Sequence, residues 1–384
     1  MPTKTTKPLR FTRVRLENWR NFKRVDVGLT DRVFLVGPNA SGKSNFLDAF
    51  RFLQDIVQPR GGFEPAVGLR GGVANLRRAA AHGGAEIQIS VTVGTDDITD
   101  AWGYEIRFNE DRRGPVLTAE RVCKEGDKIL ERPDESDRLD TLSLTQTYLE
   151  QLSRNQKFRE IFDLFSSLFY LNIVPQLVRD PERSAGRAAD PYGGDFLEQI
   201  ANLPGRLLAA RLRWVTGILR AAVPMLQELA VERDASGLPH LKGKFQPGGR
   251  WKSESDFSDG TIRLIGLLWA HLARPASPLI LEEPELNLHP EVVRHLPQMF
   301  ARMQSRRGQQ ILLSTHSPDL LRDEGIGLDE VLLFIPTEEG TEVRPASSFE
   351  EIVILLEGGV PLPDAILPST SPAEADQLAR RIGR

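Results

Sequence analysis

The residues Gly37, Pro38, Asn39, Ala40, Ser41, Gly42, Lys43 and Ser44 fit the pattern G-x-x-x-x-G-K-[ST], the spacing of a phosphate-binding loop. A polyphosphate needs hydrogen-bond donors without bulk. Glycines let backbone N–H groups curl around it, and the start of the following helix adds a favourable partial charge. On this reading Gly37, Asn39, Ser41, Gly42 and Asn45 contribute to the cradle, Lys43 reaches the β- and γ-phosphates, and Ser44 holds Mg2+. A glycine-rich turn that happens to end in Lys-Ser is the bland alternative.

Three further clusters carry chemistry. The apolar run Leu279, Ile280, Leu281 ends in Glu282 and Glu283. A nucleotide hydrolase needs such a pair, one carboxylate for the metal and the next to polarise the attacking water. Glu282 takes the metal role and Glu283 that of general base; a strand merely meeting solvent would look the same in isolation. Phe257, Ser258, Asp259, Gly260 and Thr261 open an apolar helix from Ile262 to Leu272. By itself this is a helix cap, although Ser258 and Gly260 also offer a hydroxyl and free N–H groups to an anion. Finally, the apolar run Ile311 to Leu313 leads through Ser314 and Thr315 to His316. Strand C-termini line the ligand crevice of a parallel sheet, so His316 is expected to reach the γ-phosphate.

The elements that must position these groups are legible around them. Val33 to Val36 reads as a buried strand and Asn45 to Leu53 as a helix, giving the strand, loop, helix context that the phosphate loop requires. Phe11 to Leu16 and Phe22 to Leu29 alternate as strands that pair antiparallel. Short strands recur from Glu86 to Arg132 and predict an antiparallel subdomain. Thr141 to Val178 and Asp195 to Leu229 show helical spacing, joined by a loop from Asp180 to Gly194, and strands return at Leu229 to Glu232 and Leu241 to Phe245. Arg70, Arg77 and Arg78 lie in the Gly/Ala/Arg-rich stretch Gly61 to Gly84; a solvated loop explains them, and a phosphate-facing loop is the alternative. Arg206, Arg211, Arg213 and Arg220 of the helical region carry the same ambiguity. The expected divisions are 1–132, a first lobe with the phosphate loop; 133–228, a helical insertion; 229–340, a second lobe; and 341–384, a tail whose stretch Pro361 to Pro372 reads as linker or docking segment.

Composition narrows the classes. With 384 residues, 40% of them hydrophobic and 27% charged, the chain is globular, with room for two or three lobes. A net charge of −4 announces no nucleic-acid partner, though a local basic face stays open. A single cysteine, Cys123, excludes an intrachain disulfide framework and a cysteine-based zinc site, and fits the cytoplasm. Neither a signal peptide nor a membrane-spanning helix is expected, since the longest apolar stretches are too short or are broken by polar residues and Pro175.

Taken in order, the phosphate loop, Ser258 to Thr261, Leu281 to Glu285 and Ser314 to Ser317 resemble the ABC-type ATPase heads of the SMC/RecF group. The resemblance is closest to compact AAA-type ATPases whose acidic motif runs E-P-E-x-x-L-H-P, as Glu283 to Pro290 does. Leu16 to Phe22 is similar to the opening strand motif of the group, so the likeness spans roughly residues 11 to 335. It implies an α/β fold, a P-loop NTPase of ABC-ATPase type with an antiparallel β subdomain and a helical insertion, that binds ATP and Mg2+. It also implies a homodimer in which Ser258 and Gly260 cap the γ-phosphate held by a second copy, with His289 near that interface or simply starting a helix. The chain departs from the group in carrying Glu282 where most heads have Asp. The glutamine that such heads place between lobes is unassigned, Gln54 and Gln88 both being candidates. Coiled-coil arms are absent, and the 68 residues after His316 contain no Asp-x-Asp pair of the TOPRIM nuclease that overcoming-lysogenization-type relatives append.

Two functions are therefore expected to compete. One is an ATPase of DNA maintenance or sensing. The other is an ATP-gated platform that controls a separate effector, such as a nuclease in a bacterial anti-phage defence module. A transporter ATPase and a kinase fit less well, because the signature and acidic motifs differ from the first and His316 has no task in the second.

Overall fold

Val33, Phe34, Leu35 and Val36 occupy the centre of the molecule. They belong to β3 (Arg32–Val36), which pairs in parallel with β13 (Ile311–Thr315) on one side and β14 (Val331–Thr337) on the other. The sheet continues through β12 (Leu279–Glu282) to β8 (Phe169–Leu171), both parallel, and ends at its other edge in β15 (Gly340–Pro345), antiparallel to β14. This computed structural model describes residues 8–81, 84–180, 182, 190, 192–246, 248–273 and 276–370.

Each side of that sheet faces a different core, which is why its strands read as unbroken apolar runs rather than alternating ones. Val33, Leu35, Ile280 and Leu312 join the helix α1 (Lys43–Val57) in one core. Phe34, Val36, Leu279, Leu281 and Leu313 join α3 (Asp259–Ala273) and α4 (Leu296–Arg307) in the other, together with α2 (Gly205–Leu219). The helix α1 is apolar on more than one side because it lies between two sheets. Phe46 meets Phe334 of the parallel sheet at 5.5 Å, while Phe50 meets Phe11 at 4.9 Å and Phe52 stacks on Phe108 at 5.6 Å. Burying each such ring contributes about 2 kcal/mol.

Phe11 and Phe108 come from the second sheet, an antiparallel one in the order β2 (Arg24–Gly28), β1 (Arg10–Glu17), β4 (Ile87–Gly94), β5 (Trp102–Asp111), β6 (Gly114–Lys124), β7 (Asp127–Arg132). The expected antiparallel pairing of the first two strands is present, with Val14 opposite Val27 and Leu16 opposite Val25. A three-stranded sheet, β9 (Glu228–Arg233), β10 (Pro239–Lys244) and β11 (Trp251–Ser253), precedes α3. Among the described residues no helix is long and apolar enough to cross a membrane.

Two expectations need correction. The region 133–228 is not all helical insertion, because Phe169–Leu171 is a strand of the parallel sheet, with Tyr170 opposite Ile280. Three residues between helical stretches are too few to show a strand period. Of the two readings of the stretch from Pro361, linker or docking segment, the linker fails: Leu362–Ile366 is a helical turn with Pro363 in its first turn, and Ala365 and Ile366 are buried in the second core. Its last residues, Ser371 and Pro372, lie outside the described residues, as do parts of the loop Asp180 to Gly194.

Candidate nucleotide site

The phosphate loop joins the end of β3 to the start of α1, as its spacing demands. Gly42 has φ +97°, and a Cβ there would lie 2.3 Å from the Asn21 amide, so glycine is required twice over. Asn21 fixes the loop from outside: its Nδ2 donates to the Ser41 carbonyl at 3.0 Å and to Thr341 Oγ1 at 2.8 Å, and its Oδ1 accepts from Asn45 at 2.8 Å. Trp19 adds a hydrogen bond from its indole to the Asn45 carbonyl at 2.7 Å. The motif Leu16 to Phe22 thus bears on the site through Trp19 and Asn21. Gly37 lies buried against Phe334, while Asn39 is exposed.

Lys43 is 6% exposed, and its Nζ donates to the carbonyls of Gly37 and Pro38 at 2.9 and 3.0 Å. Burial pulls its pKa down to about 8, even though Glu283, Glu282 and Glu285 all favour the charged form. Ser44 Oγ donates to Glu282 Oε2 at 3.2 Å, so the two expected metal-site residues meet. Mg2+ is held by one or two carboxylates plus phosphate oxygens rather than by a protein cage, and a hydroxyl beside a single carboxylate suits it. Among the described residues no group of three or more His, Cys, Asp or Glu is placed to hold a metal ion.

Glu283 follows β12 directly. Its N–H donates to the Ser314 carbonyl of β13 at 3.1 Å, and its φ of +42° is a strained value for a glutamate. Its Oε1 lies 3.3 Å from His316 Nε2. The hydrogen bond from His316 lowers the Glu283 pKa against the opposing effect of burial. Parallel pairing of β12 with β13 therefore delivers the expected base and the expected histidine to one place. Glu285 is buried beside them, accepting from Thr315 Oγ1 and from the His316 N–H, with a pKa raised by burial. Its Oε2 has no partner among the described residues, and neither do Ser41 Oγ and Arg263 Nε.

Ser258 and Gly260 are placed differently. Ser258 is exposed, and its Oγ accepts from the Thr261 N–H at 3.2 Å, which is a helix cap. Gly260 lies against the turn after the carboxylates: a Cβ would approach the Asn287 carbonyl to 2.3 Å. Asp259 ties the same contact from both sides, accepting from Asn287 Nδ2 at 3.2 Å and pairing with Arg179 at 2.6 Å. Among the described residues no hydrogen bond joins Ser258 or Gly260 to the phosphate loop of its own chain. His289 accepts from the Glu291 N–H at 3.2 Å ahead of Pro290, so it starts a helix.

A family model described as "AAA domain, putative AbiEii toxin, Type IV TA system" matches residues 32–322, from β3 past His316. The chain belongs to this AAA-domain family. A stretch of 55 residues is 38% identical to Endonuclease GajA of Bacillus cereus (strain VD045), covering 14% of this chain and 10% of that one. The chain thus spans about a tenth of the length of the curated relative it matches. Among solved structures it is similar to an SMC head bound to the C-winged helix domain of ScpA, with a TM-score of 0.50 at 15% identity over 87% of this chain and 96% of that one. An SMC head with an extended coiled coil, bound to the C-terminal domain of ScpA and derived from Pyrococcus furiosus, gives a TM-score of 0.50 at 13% identity over 91% and 100%. The fold is that of an ABC-type, SMC-like P-loop head, as the order of the motifs leads one to expect.

Within this AAA-domain chain, several residues beside the site escape sequence reasoning. Neither glutamine candidate reaches it: Gln54 donates to the Leu168 carbonyl at 2.5 Å and Gln88 to Glu105 at 2.9 Å. The amide beside the carboxylates is that of Asn172, just past β8, whose Nδ2 lies 3.3 Å from Glu282 Oε2. Tyr170 of β8 donates its hydroxyl to Glu282 Oε1. Nothing in the sequence marks these two, because the strand that places them is invisible. Arg263, one turn into α3, is a third: burial lowers its pKa while Asp259, Glu283 and Glu285 hold it up.

Proposed function

We propose that the protein binds ATP with Mg2+ at Gly37 to Ser44 and hydrolyses it. The observation that carries this is the convergence of Lys43, Ser44, Glu282, Glu283 and His316 at the C-terminal ends of three adjacent parallel strands. Lys43 and the loop N–H groups bind the phosphates, and Ser44 with Glu282 would hold Mg2+, which supplies charge neutralisation on the phosphate oxygens. Glu283 takes the proton of the attacking water. His316 holds Glu283 by their 3.3 Å contact and faces the γ-phosphate. Phosphate release should fall about 1000-fold in Glu283→Gln, the size of a lost general base; turnover within threefold of wild type would remove Glu283 from that role.

The exposed Ser258, unbonded to its own phosphate loop, supports a sandwich in which it caps the nucleotide of a second copy. ATP then completes the dimer interface and hydrolysis dissolves it.

For the role of this cycle, the platform reading has more support than the DNA reading. Arg70 is bound to Asp48 and Asp55 at 2.8 and 2.9 Å, Arg77 donates to Asn109, and Arg78 to the Glu339 carbonyl at 3.0 Å. Arg211 covers Trp269 at 5.5 Å and Arg220 donates to two carbonyls at 3.1 and 2.6 Å. Few of the arginines that suggested nucleic acid are therefore free for phosphates. The similar SMC heads are seen bound to a ScpA domain, and the short GajA likeness is to an endonuclease. An effector protein, such as a nuclease of an anti-phage module, retained with ATP and lost in Lys43→Ala would support the platform. Turnover stimulated by DNA, with salt-sensitive binding, would support DNA sensing instead.

A further inference from the structure

Glu282 has two carboxylate oxygens, and the structure gives them different neighbours. Oε2 accepts from Ser44 Oγ at 3.2 Å and from Asn172 Nδ2 at 3.3 Å, on the side of the phosphate loop. Oε1 accepts the Tyr170 hydroxyl. We infer that Tyr170 is a positioning residue, whose phenol anchors Glu282 Oε1 so that Oε2 is held towards Ser44.

A glutamate has three side-chain torsions, and leaving them free would spread its charged end over several positions. Tyr170 removes that freedom from a fixed base. It is 8% exposed, and its own backbone is pinned opposite Ile280 of β12, two residues before Glu282. Its phenol is the donor of the pair, since an ionised carboxylate only accepts. Its ring is backed by Arg51, whose guanidinium lies 5.4 Å from Tyr170 and 5.7 Å from Tyr192. Arg51 sits on α1, two turns after Ser44, so one helix supplies both the hydroxyl that faces Oε2 and the cation behind the anchor of Oε1. The positions of the two oxygens are thereby tied to a common rigid element. A tyrosine that merely filled the core would need none of this alignment.

This inference rests on the nucleotide-site reading, and its test separates the two. The affinity of a fluorescent ATP analogue is measured by anisotropy across a Mg2+ titration and again in EDTA. Tyr170→Phe keeps the ring and removes only the hydroxyl. It should raise the Mg2+ concentration for half-maximal tightening about tenfold, the usual effect of losing a hydrogen bond behind a metal ligand, and leave affinity in EDTA within about twofold. Glu282→Asp withdraws the carboxylate from the phenol. In that background Tyr170→Phe should have no further effect, because residues acting as a unit are not additive. An unchanged Mg2+ midpoint in Tyr170→Phe, or an undiminished tenfold effect in the Glu282→Asp background, would overturn the anchor while leaving the site reading intact. No nucleotide binding by the wild-type protein would overturn both.

Discussion

Arg132 and Lys43 are both cations withdrawn from water, and their surroundings are finished in opposite ways. All five N–H groups of Arg132 are used: Nε and Nη2 grip Asp137 at 2.9 and 2.7 Å, Nη1 meets Glu120 at 3.0 Å, and the carbonyls of Gln146 and Ser143 accept at 2.8 and 2.9 Å. The Tyr148 ring covers its face at 3.7 Å. Glu120 in turn accepts from the N–H groups of Tyr148 and Leu149 at 2.7 and 3.1 Å. Lys43 has only two loop carbonyls, and around it Glu285 Oε2, Ser41 Oγ and Arg263 Nε stay without partners among the described residues. The first cluster is a closed network that knits the loop after β7 to the antiparallel sheet. The second is open and strained, with Glu283 at positive φ, and its unmet hydrogen bonds suit a ligand rather than the fold.

Breaking the closed network should cost stability alone. Arg132→Ala leaves two buried carboxylates without their cation, and we expect a loss of about 4 kcal/mol, read as a shifted urea midpoint. Nucleotide affinity of the folded fraction should not change. Breaking the open cluster should do the reverse: Lys43→Ala should weaken nucleotide binding about a hundredfold, equivalent to about 3 kcal/mol, with the urea midpoint nearly unmoved. If Lys43→Ala unfolded the protein while Arg132→Ala did not, the assignment of the two clusters would be inverted.

The closed network also has an acid signature. Burial acts to raise the pKa of Asp137, but hydrogen bonds from Arg132, Ser143 and the Asp134 backbone outweigh it and bring it to about 2. A depressed carboxylate stabilises the fold above its unfolded pKa and loses that contribution as pH falls through the folded one. Asp137 should therefore supply about 2 kcal/mol that disappears between about pH 4 and pH 2. Urea midpoints of wild type and Asp137→Asn should converge over that interval. A smaller effect is expected beside the open cluster. Gly260→Ala drives a methyl against the Asn287 carbonyl, and overpacking of this kind costs about 1–3 kcal/mol, visible as a lower melting temperature and a lower turnover. Unchanged turnover would disconnect that contact from the site.

The difference between the clusters also explains what could be read in advance. The open one was legible because each of its groups sits at a strand end inside a short linear pattern: Lys43 and Ser44 after β3, Glu282 and Glu283 after β12, His316 after β13. Its supports were not. Tyr170 lies in, and Asn172 just past, a strand of three residues with no period to betray it, and Arg263 is one arginine on a helix, indistinguishable by type from the solvated Arg213. The closed network was entirely illegible, since Arg132, Glu120 and Asp137 become partners only when β6 and β7 pair and the chain turns back beyond them. The turn at Leu362–Ile366 stayed ambiguous between linker and docking segment for a similar reason, as prolines punctuate a linker and open a helix alike.

On the function proposed above, the open cluster is half of a site which ATP and a second copy complete. Light scattering of Glu283→Gln in the presence of ATP and Mg2+ tests it directly. The variant should shift from one 42.9 kDa chain to twice that mass and remain there, while Lys43→Ala stays monomeric under the same conditions. A Glu283→Gln variant that binds ATP yet keeps the mass of a single chain would rule out the ATP sandwich.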